Sequence, residues 1–383
     1  MDKIREVTVF TNGDSNNIST WSNVPFFLTE TLISRGIKVN RVDLSPSPVL
    51  NKLYSKTWER IIRIIYKNTT YTYFRSLVHF LHARLRIKNA VRAHTNSQLN
   101  IFLTFSFSST GLTKTPAILF CDWTYEHYIN YRKNRKPDIF ERRCIKREDS
   151  QIEGSNLILP LFPGVTEYMK ERYKNKNIVH LGNVINSLHP VTTSQILEKK
   201  PKSNSLLFIG NEKYAEGAKC LIQAFHRLKK DYPDLSLDII GLNESDFGSD
   251  FGDQLNEGVN CHGYLDKGKE NERKLYYSLL QDAKVFVNTT PKWGAFSATL
   301  EAMYFYTPVI VTPYKEFVET FGMKIEFGCY CEDNSLDFLC ANIKKILDHP
   351  SYSTLCINAH ESVKDFTWGE YIENMLKTIK EKL

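Results

Sequence analysis

The chain has 383 residues, 42% of them hydrophobic, with a mean hydropathy of −0.35. It is too long for one ordinary core and suggests two domains of roughly 150 to 200 residues, while no apolar run approaches the roughly 18 residues of a membrane-spanning helix. Fifty Lys and Arg against 43 Asp and Glu leave a net charge of +7, a surplus that identifies no partner until it is located. The opening, MDKIREVTVF, has no apolar signal core, which points to a protein kept in the cytoplasm. Eight cysteines (Cys121, Cys144, Cys220, Cys261, Cys329, Cys331, Cys340 and Cys356) are scattered. The one close pair, Cys329 and Cys331, lacks the spacing of a zinc site, so reduced thiols, mostly in the core, are expected.

Residues 7–10 form a β-rich apolar run, and the polar loop after it, TNGDSNNISTWSN, is too long for an ordinary βα turn. Ser22 is placed to cap the next helix and Pro25 fits its first turn. Val24, Phe27, Leu28 and Leu32 form one stripe, and Gly36 stops the helix before a strand at 39–44. Residues 51–95 then concentrate ten cations, Lys52, Lys56, Arg60, Arg63, Lys67, Arg75, Arg84, Arg86, Lys88 and Arg92, against a single acid, Glu59. Aromatics are interleaved: Trp58, Tyr66, Tyr71, Tyr73, Phe74 and Phe80. Such a segment suits an anionic membrane surface, a phosphorylated acceptor or a nucleic acid, or else is a helix pair with aromatics in the core and cations in solvent. Without a recognition motif, and with the remainder nearly neutral, nucleic acid is the least supported. Further β-like runs follow at 100–105, 116–121, 156–160 and 177–181, with a polar, charged stretch at 122–150.

A polar segment at 187–204, with few core residues, reads as a linker. After it come a strand at 206–210, a helix carrying Leu221, Ile222, Phe225 and Leu228, and a strand at 235–241. The alternation continues with a strand at 259–265, a helix at 270–282, and strands at 284–290 and 308–312. The last segment, 366–383, is an amphipathic helix with Trp368, Tyr371, Ile372, Met375 and Ile379 near one stripe. Strand and helix alternate in both halves, which predicts an α/β protein of two doubly wound, Rossmann-like domains with a cleft between them. The expected boundaries are 1–186, a linker at 187–204, 205–365 and the terminal helix 366–383.

The stretch VFVNTTPKWGAFSATLEAMYFYTPVIVT, residues 285–312, carries most of the chemistry. In open α/β sheets ligands collect beyond the carboxyl ends of the strands, where the next helix presents unpaired N–H groups and its positive end. Here that place is 291–297. A helix beginning near Phe296 puts Ser297 and Glu301 on one face, so an anion at the helix start has a carboxylate about one turn away. A nucleotide has that shape, a diphosphate with a ribose diol beside it. The competing reading makes Glu301 a solvated helix carboxylate and Trp293 a loop aromatic packed for stability.

Several segments together are similar to glycosyltransferase family 4, the glycosyl transferases group 1, whose members have the GT-B fold. LLFIGNEKYAEGAKCLIQAFHRLKKDYPDLSLDIIG, GYLDKGKENERKLYYSLLQDAKVFVNTTP and LEAMYFYTPVIVTP resemble the donor domain, and TWSNVPFFLTETLISRGIKV resembles the opening of the first domain. The resemblance implies two Rossmann-like domains facing across a cleft, with the terminal helix crossing back to the first. It gives Glu301 the role of accepting hydrogen bonds from the nucleotide ribose. Around the diphosphate and donor sugar it places Gly210, Asn211, Trp293, Gly294, Ala295, Phe296, Ser297 and Ala298. The sequence also departs from the family. Where the family has a first glutamate, with seven residues between it and the second, stands Trp293, so a ring stacks on sugar or base, or Lys292 or Ser297 takes over. Where an Arg and a Lys usually stabilise the leaving diphosphate stand Asn211 and Glu216, with Lys213 the nearest substitute and Lys219 behind it. The run AILFCDWTYEH ends a strand where this fold places acceptor-side groups, Asp122, Trp123 and His127, and Trp21 and Ser22 are expected to face them. Asp122 either takes the proton of an acceptor hydroxyl, orients the donor sugar, or caps the following helix.

The expectation is a cytoplasmic, metal-independent, retaining glycosyltransferase with Asp122, Lys213 and Glu301 as catalytic groups. It would use a nucleotide sugar as donor and a glycan or lipid-linked acceptor of cell-surface polysaccharide synthesis, docking peripherally on the inner face of the membrane through 51–95. No cofactor or metal is expected. The alternatives are a GT-B-like adaptor or glycan-binding subunit without catalysis, and an inverting transferase with Asp122 as base.

Overall fold

The apolar run near the start becomes β1 (Glu6–Thr11), all but its first residue buried, as a parallel strand covered on both faces requires. It joins β2 (Lys38–Asp43), β3 (Leu99–Phe102), β4 (Ala117–Cys121) and β5 (Leu157–Pro160) in a parallel sheet of order β2-β1-β3-β4-β5. The second sheet contains β6 (Ser205–Ile209), β7 (Ser236–Ile240), β8 (Val259–Gly263), β9 (Ala283–Asn288), β10 (Val309–Val311) and β11 (Gly328–Tyr330), also parallel, in the order β11-β10-β9-β6-β7-β8. The structure, a computed structural model, describes residues 4–189, 191, 193–248, 255, 258–293, 296–333 and 335–383. The α/β class and the two doubly wound sheets agree with the sequence. Strand order reverses between β1 and β3 in one sheet and between β6 and β9 in the other, and a doubly wound sheet binds its ligand outside the carboxyl ends of such a pair.

The chain divides into two compact units, residues 1–183 with 368–383, and residues 184–367. In the first, the helix Val24–Ser34 buries Val24, Phe27, Leu28 and Leu32 as expected. Its cap position is Asn23, in the left-handed region, and no side chain caps it; the expected capping by Ser22 is not formed because the turn before the helix is itself left-handed. The terminal helix Trp368–Lys382 belongs to this unit. It buries Trp368, Tyr371, Ile372, Met375 and Ile379, and Arg35 holds it through Glu373 and the Gly369 carbonyl. Residues 177–181 do not form a strand; Ile178 makes an isolated bridge to Ile158.

The basic region folds as three helices, Pro48–Lys56, Trp58–Ile65 and Leu77–Ala93. Its aromatics are divided: Tyr71 and Tyr73 are buried, whereas Trp58 is 59% exposed. Apolar side chains are also left in solvent, among them Val49, Leu53, Ile61, Ile64, Ile65, Leu77, Val78, Leu81 and Leu85. A helix pair with aromatics in the core and only cations in solvent does not leave so many apolar side chains exposed.

In the second unit, β11 was not signalled by the sequence; it is three residues long, and pairing to β10 rather than local propensity defines it. Residues 187–204, expected as a linker, fall within this unit. Their anchor is Lys200, fully buried, whose Nζ donates to the carbonyl oxygens of Leu280 (3.0 Å) and Ala283 (2.8 Å) and to Thr307 Oγ1 (2.7 Å). Three acceptors match the three protons of an ammonium, while burial pushes the group down from 10.5 to about 7. Between those values the unfolded chain binds a proton that the folded chain has released, so this lysine makes stability rise with pH across that window, its penalty being largest below about 7. The Lys200→Met variant, compared with the parent by chemical unfolding at pH 7 and pH 9, is expected to lack that rise; an identical pH dependence in both proteins contradicts the assignment.

Candidate functional site

The crevice in the second unit lies beyond β6 and β9. Gly210 ends β6, and its N–H donates to the Ile240 carbonyl at 3.0 Å. The chain then turns through Asn211, whose side chain accepts from the Lys213 N–H at 3.1 Å, into the helix Ala215–Leu228. Two glycines let these pieces approach. A Cβ on Gly241 would stand 2.5 Å from the Gly210 oxygen, at a φ of +95°, and one on Gly217 would stand 2.6 Å from Thr290 Oγ1. From β9 the crevice receives Asn288, Thr289 and Thr290, all buried. Asn288 donates to the Ile209 carbonyl at 3.2 Å, and the Thr290 hydroxyl has no hydrogen-bond partner among the described residues.

Glu301 sits on the helix Phe296–Tyr304 and is 3% exposed, which overturns its reading as a solvated carboxylate. Lys267 Nζ reaches Glu301 Oε1 at 2.7 Å and Oε2 at 2.8 Å and donates its third bond to the Asn186 carbonyl at 3.0 Å. The Tyr276 hydroxyl donates to Oε2 at 2.8 Å, and Lys267 lies 4.4 Å from the Tyr276 ring centre. Burial, reinforced by the adjacent carboxylate, pushes the Tyr276 phenol well above its usual range, so it stays a donor. Three of the carboxylate's roughly four lone-pair sites are therefore taken, and among the described residues Oε1 has one without a partner. Lys267 was missed in the sequence: it lies in a loop 34 residues from Glu301, and no periodicity links the two.

The other expected donor-side residues divide. Ser297 shares the helix with Glu301 but is exposed, Ala298 is half-buried and Phe296 is buried. Trp293 stacks on Phe296 (ring centres 5.8 Å, planes 22°) and leans on Tyr314 at 5.8 Å. Gly294 and Ala295 lie outside the described residues. Lys213 is exposed and in no ion pair among the described residues, whereas Glu216 and Lys219 pair at 3.4 Å.

In the first unit, Asp122, Trp123 and His127 follow β4 together. Trp123 stacks on His127 at 5.1 Å and on Tyr131 at 5.5 Å. The residue capping the next short helix is Thr124, which accepts from the His127 N–H at 3.2 Å, so Asp122 is not that cap. Its carboxyl accepts instead from the Trp123 N–H at 2.8 Å and the Cys121 thiol at 3.2 Å, and burial raises it above the usual carboxylate range. Trp21 packs edge-on against Phe120 of β4 at 6.1 Å. Trp21, Ser22 and Asn23 all hold positive φ (36°, 54° and 72°). Such residues cost about 1–3 kcal/mol each and cluster where ligands are gripped, a signal absent from the sequence because none of the three is glycine.

Residues 192–363 match the family described as Glycosyl transferases group 1. This part of the chain, a little under half of its length, is similar to the glycosyl transferases group 1. The match covers the whole crevice of β6 and β9, from Gly210 to Glu301, together with Lys200 and Lys267. Among solved structures the chain is similar to sucrose-phosphate synthase from Thermosynechococcus elongatus, at 15% identity over 98% of both chains with a TM-score of 0.69. It is also similar to HepE of Anabaena in complex with UDP and glucose, at 10% identity over 99% of this chain and 100% of that one, TM-score 0.64. A third likeness is to a TarM variant of S. aureus in complex with fondaparinux, alpha-GlcNAc-glycerol and UDP, at 14% identity over 77% of this chain, TM-score 0.59. The match spans 58% of that TarM chain. These likenesses establish a GT-B fold. No curated protein matches the sequence.

Breaking one side of a buried ion pair strands the other charge, at about 3–5 kcal/mol, whereas replacing both sides by apolar groups is often near neutral. Lys267→Met is therefore expected to destabilise by about that amount, and Lys267→Met with Glu301→Leu to recover most of the loss. Thermal unfolding of the four proteins measures the coupling; additive effects contradict a functional pair.

Proposed function

We propose that the protein is a retaining, metal-independent glycosyltransferase that moves a sugar from a nucleotide-sugar donor to a hydroxyl of a glycan or lipid-linked acceptor in cell-surface polysaccharide synthesis. The observation that carries this reading is the coincidence of the group 1 match with a strand-end crevice in which a buried carboxylate, Glu301, is held in place with one acceptor site to spare. The UDP complexes of HepE and TarM favour a uridine nucleotide. In this reading a ribose hydroxyl donates to Glu301 Oε1, and the diphosphate lies along the turn from Gly210 to Lys213 and the start of the helix Phe296–Tyr304. Lys213 supplies the cation for the departing diphosphate, a role typically worth about 3 kcal/mol. Trp293 offers a ring face where the family has a carboxylate, so the donor sugar is contacted by stacking. Asp122, its proton affinity raised by burial, stands on the acceptor side.

The acceptor side is read as docking peripherally on the inner face of an anionic membrane. Exposed Trp58, Ile61, Ile64 and Ile65 with Lys52, Arg60, Arg63 and Lys67 combine apolar insertion with charge attraction, and no helix among the described residues is long and apolar enough to cross the bilayer. Ile61→Asp with Ile64→Asp is expected to abolish co-sedimentation with phosphatidylserine vesicles, and unchanged sedimentation contradicts this docking.

A second reading, an adaptor without catalysis, is favoured by Trp293, Asn211 and Glu216 where the family has ionic groups. Calorimetric titration with UDP, GDP, CMP and ADP, without added metal, separates the two. One nucleotide is expected to bind, about tenfold weaker in Glu301→Gln for the loss of a charge-assisted bond. Turnover with the matching nucleotide sugar is expected to fall about a hundredfold in kcat in Lys213→Ala. Binding of none of the four moves the assignment to the adaptor, and an inverted product anomer makes Asp122 the base.

A further inference from the structure

The helix Ile139–Gly154 turns Arg143, Lys146, Arg147, Ser150 and Gln151 to one face, at the spacing i, i+3, i+4, i+7, i+8. Across from them the helix Leu77–Ala93 supplies Phe80 and Arg84, four residues apart. These seven side chains line a groove of about 390 Å³ within the first unit, in the size range of small-molecule sites. It has four cations and no carboxylate.

The acids of the same helix are all engaged elsewhere. Glu141 pairs with Arg135 at 2.6 Å, Glu148 with Arg75 at 3.3 Å, and Asp149 with Arg172 at 2.9 Å, while Glu153 accepts the Lys174 and Asn175 N–H groups. Among the described residues none of Arg84, Arg143, Lys146 and Arg147 has an ion-pair partner. Like charges one helical turn apart repel, so the fold carries an uncompensated positive site that an anion would relieve. Arg147 is already oriented for the task. Its Nη2 donates to the Arg75 carbonyl at 2.6 Å and its guanidinium lies 5.6 Å from the Phe80 ring centre.

We propose that this groove binds a phosphate or diphosphate ester. Three guanidinium forks suit the paired oxygens of phosphate better than a point charge does, and four cations without an acid suit a multiply charged anion rather than a carboxylate. The ester is lipid-borne. Leu77, Val78, Leu81 and Leu85 of the helix that carries Phe80 and Arg84 are exposed, so a phosphate at this depth has an apolar surface beside it for an acyl or prenyl chain. The lipid source rests on the membrane-docking reading; the phosphate site itself does not.

The test is calorimetric titration with pyrophosphate, comparing the parent with Arg143→Gln plus Lys146→Gln. Both side chains are exposed on the helix, so folding is expected to survive, and Arg84→Gln provides a second variant on the opposite helix. Pyrophosphate affinity is expected to fall about ten- to a hundredfold in each, with UDP binding and melting temperature unchanged. Phosphatidylcholine vesicles carrying phosphatidic acid are expected to bind better than vesicles of matched charge carrying phosphatidylserine, with the preference lost in the same variants. Pyrophosphate sensitivity without that preference keeps the site and makes its ligand a soluble phosphoester. Loss of all vesicle binding in Ile61→Asp plus Ile64→Asp, with pyrophosphate binding intact, supports the groove as a site independent of docking. Affinities for pyrophosphate and phosphatidic acid that do not change in the groove variants overturn the proposal, as does a single-stranded RNA that displaces pyrophosphate and loses binding in the same variants.

Discussion

The second unit depends on the buried contact of Lys267 with Glu301. A buried ion pair needs its donors and acceptors well matched, and here Lys267 donates to both carboxylate oxygens and to the Asn186 carbonyl, while Tyr276 adds a further donor. The pair ties the loop after β8 to the helix after β9. That fixes the helix beside the place where strand order reverses. A carboxylate so held has little freedom to swing, and a group already ordered gives up little entropy when a ligand meets it.

The two basic features of the first unit differ in physical kind. On the helices Pro48–Lys56 and Trp58–Ile65, cations alternate with exposed apolar side chains, a pattern that rewards a surface both oily and anionic. In the groove between Leu77–Ala93 and Ile139–Gly154 the cations are grouped, with Phe80 as the sole apolar lining, a pattern that rewards a compact anion.

Much of this was legible in the sequence because it rests on periodicity. The parallel strands read as short apolar runs, and the stripes of Val24–Ser34, Ala215–Leu228 and Trp368–Lys382 are buried as their spacing implied. The strand–loop–helix–strand pattern around Trp293 and Glu301 is present as β9, the helix Phe296–Tyr304 and β10. What was not legible depends on contacts between distant residues or on backbone conformation. Lys267 and Lys200 look like surface lysines until the chain brings acceptors to them. Asp122 and Thr124 are equally good caps in one dimension, and only the path of the chain chooses Thr124. The strained turn at Trp21, Ser22 and Asn23 contains no glycine to announce it, and the uncompensated charge of the groove depends on where four carboxylates turn.

The central claim is that the second unit takes a nucleotide at the ends of β6 and β9, beside Glu301. Hydrogen exchange followed by mass spectrometry, with and without UDP, tests it most directly, because amides covered by a ligand or stabilised by it exchange more slowly. The account requires slowed exchange in peptides spanning residues 210–217 and 296–304, with the helices of residues 48–65 unchanged. Slowing confined to the first unit, with those two segments exchanging as before, would contradict it.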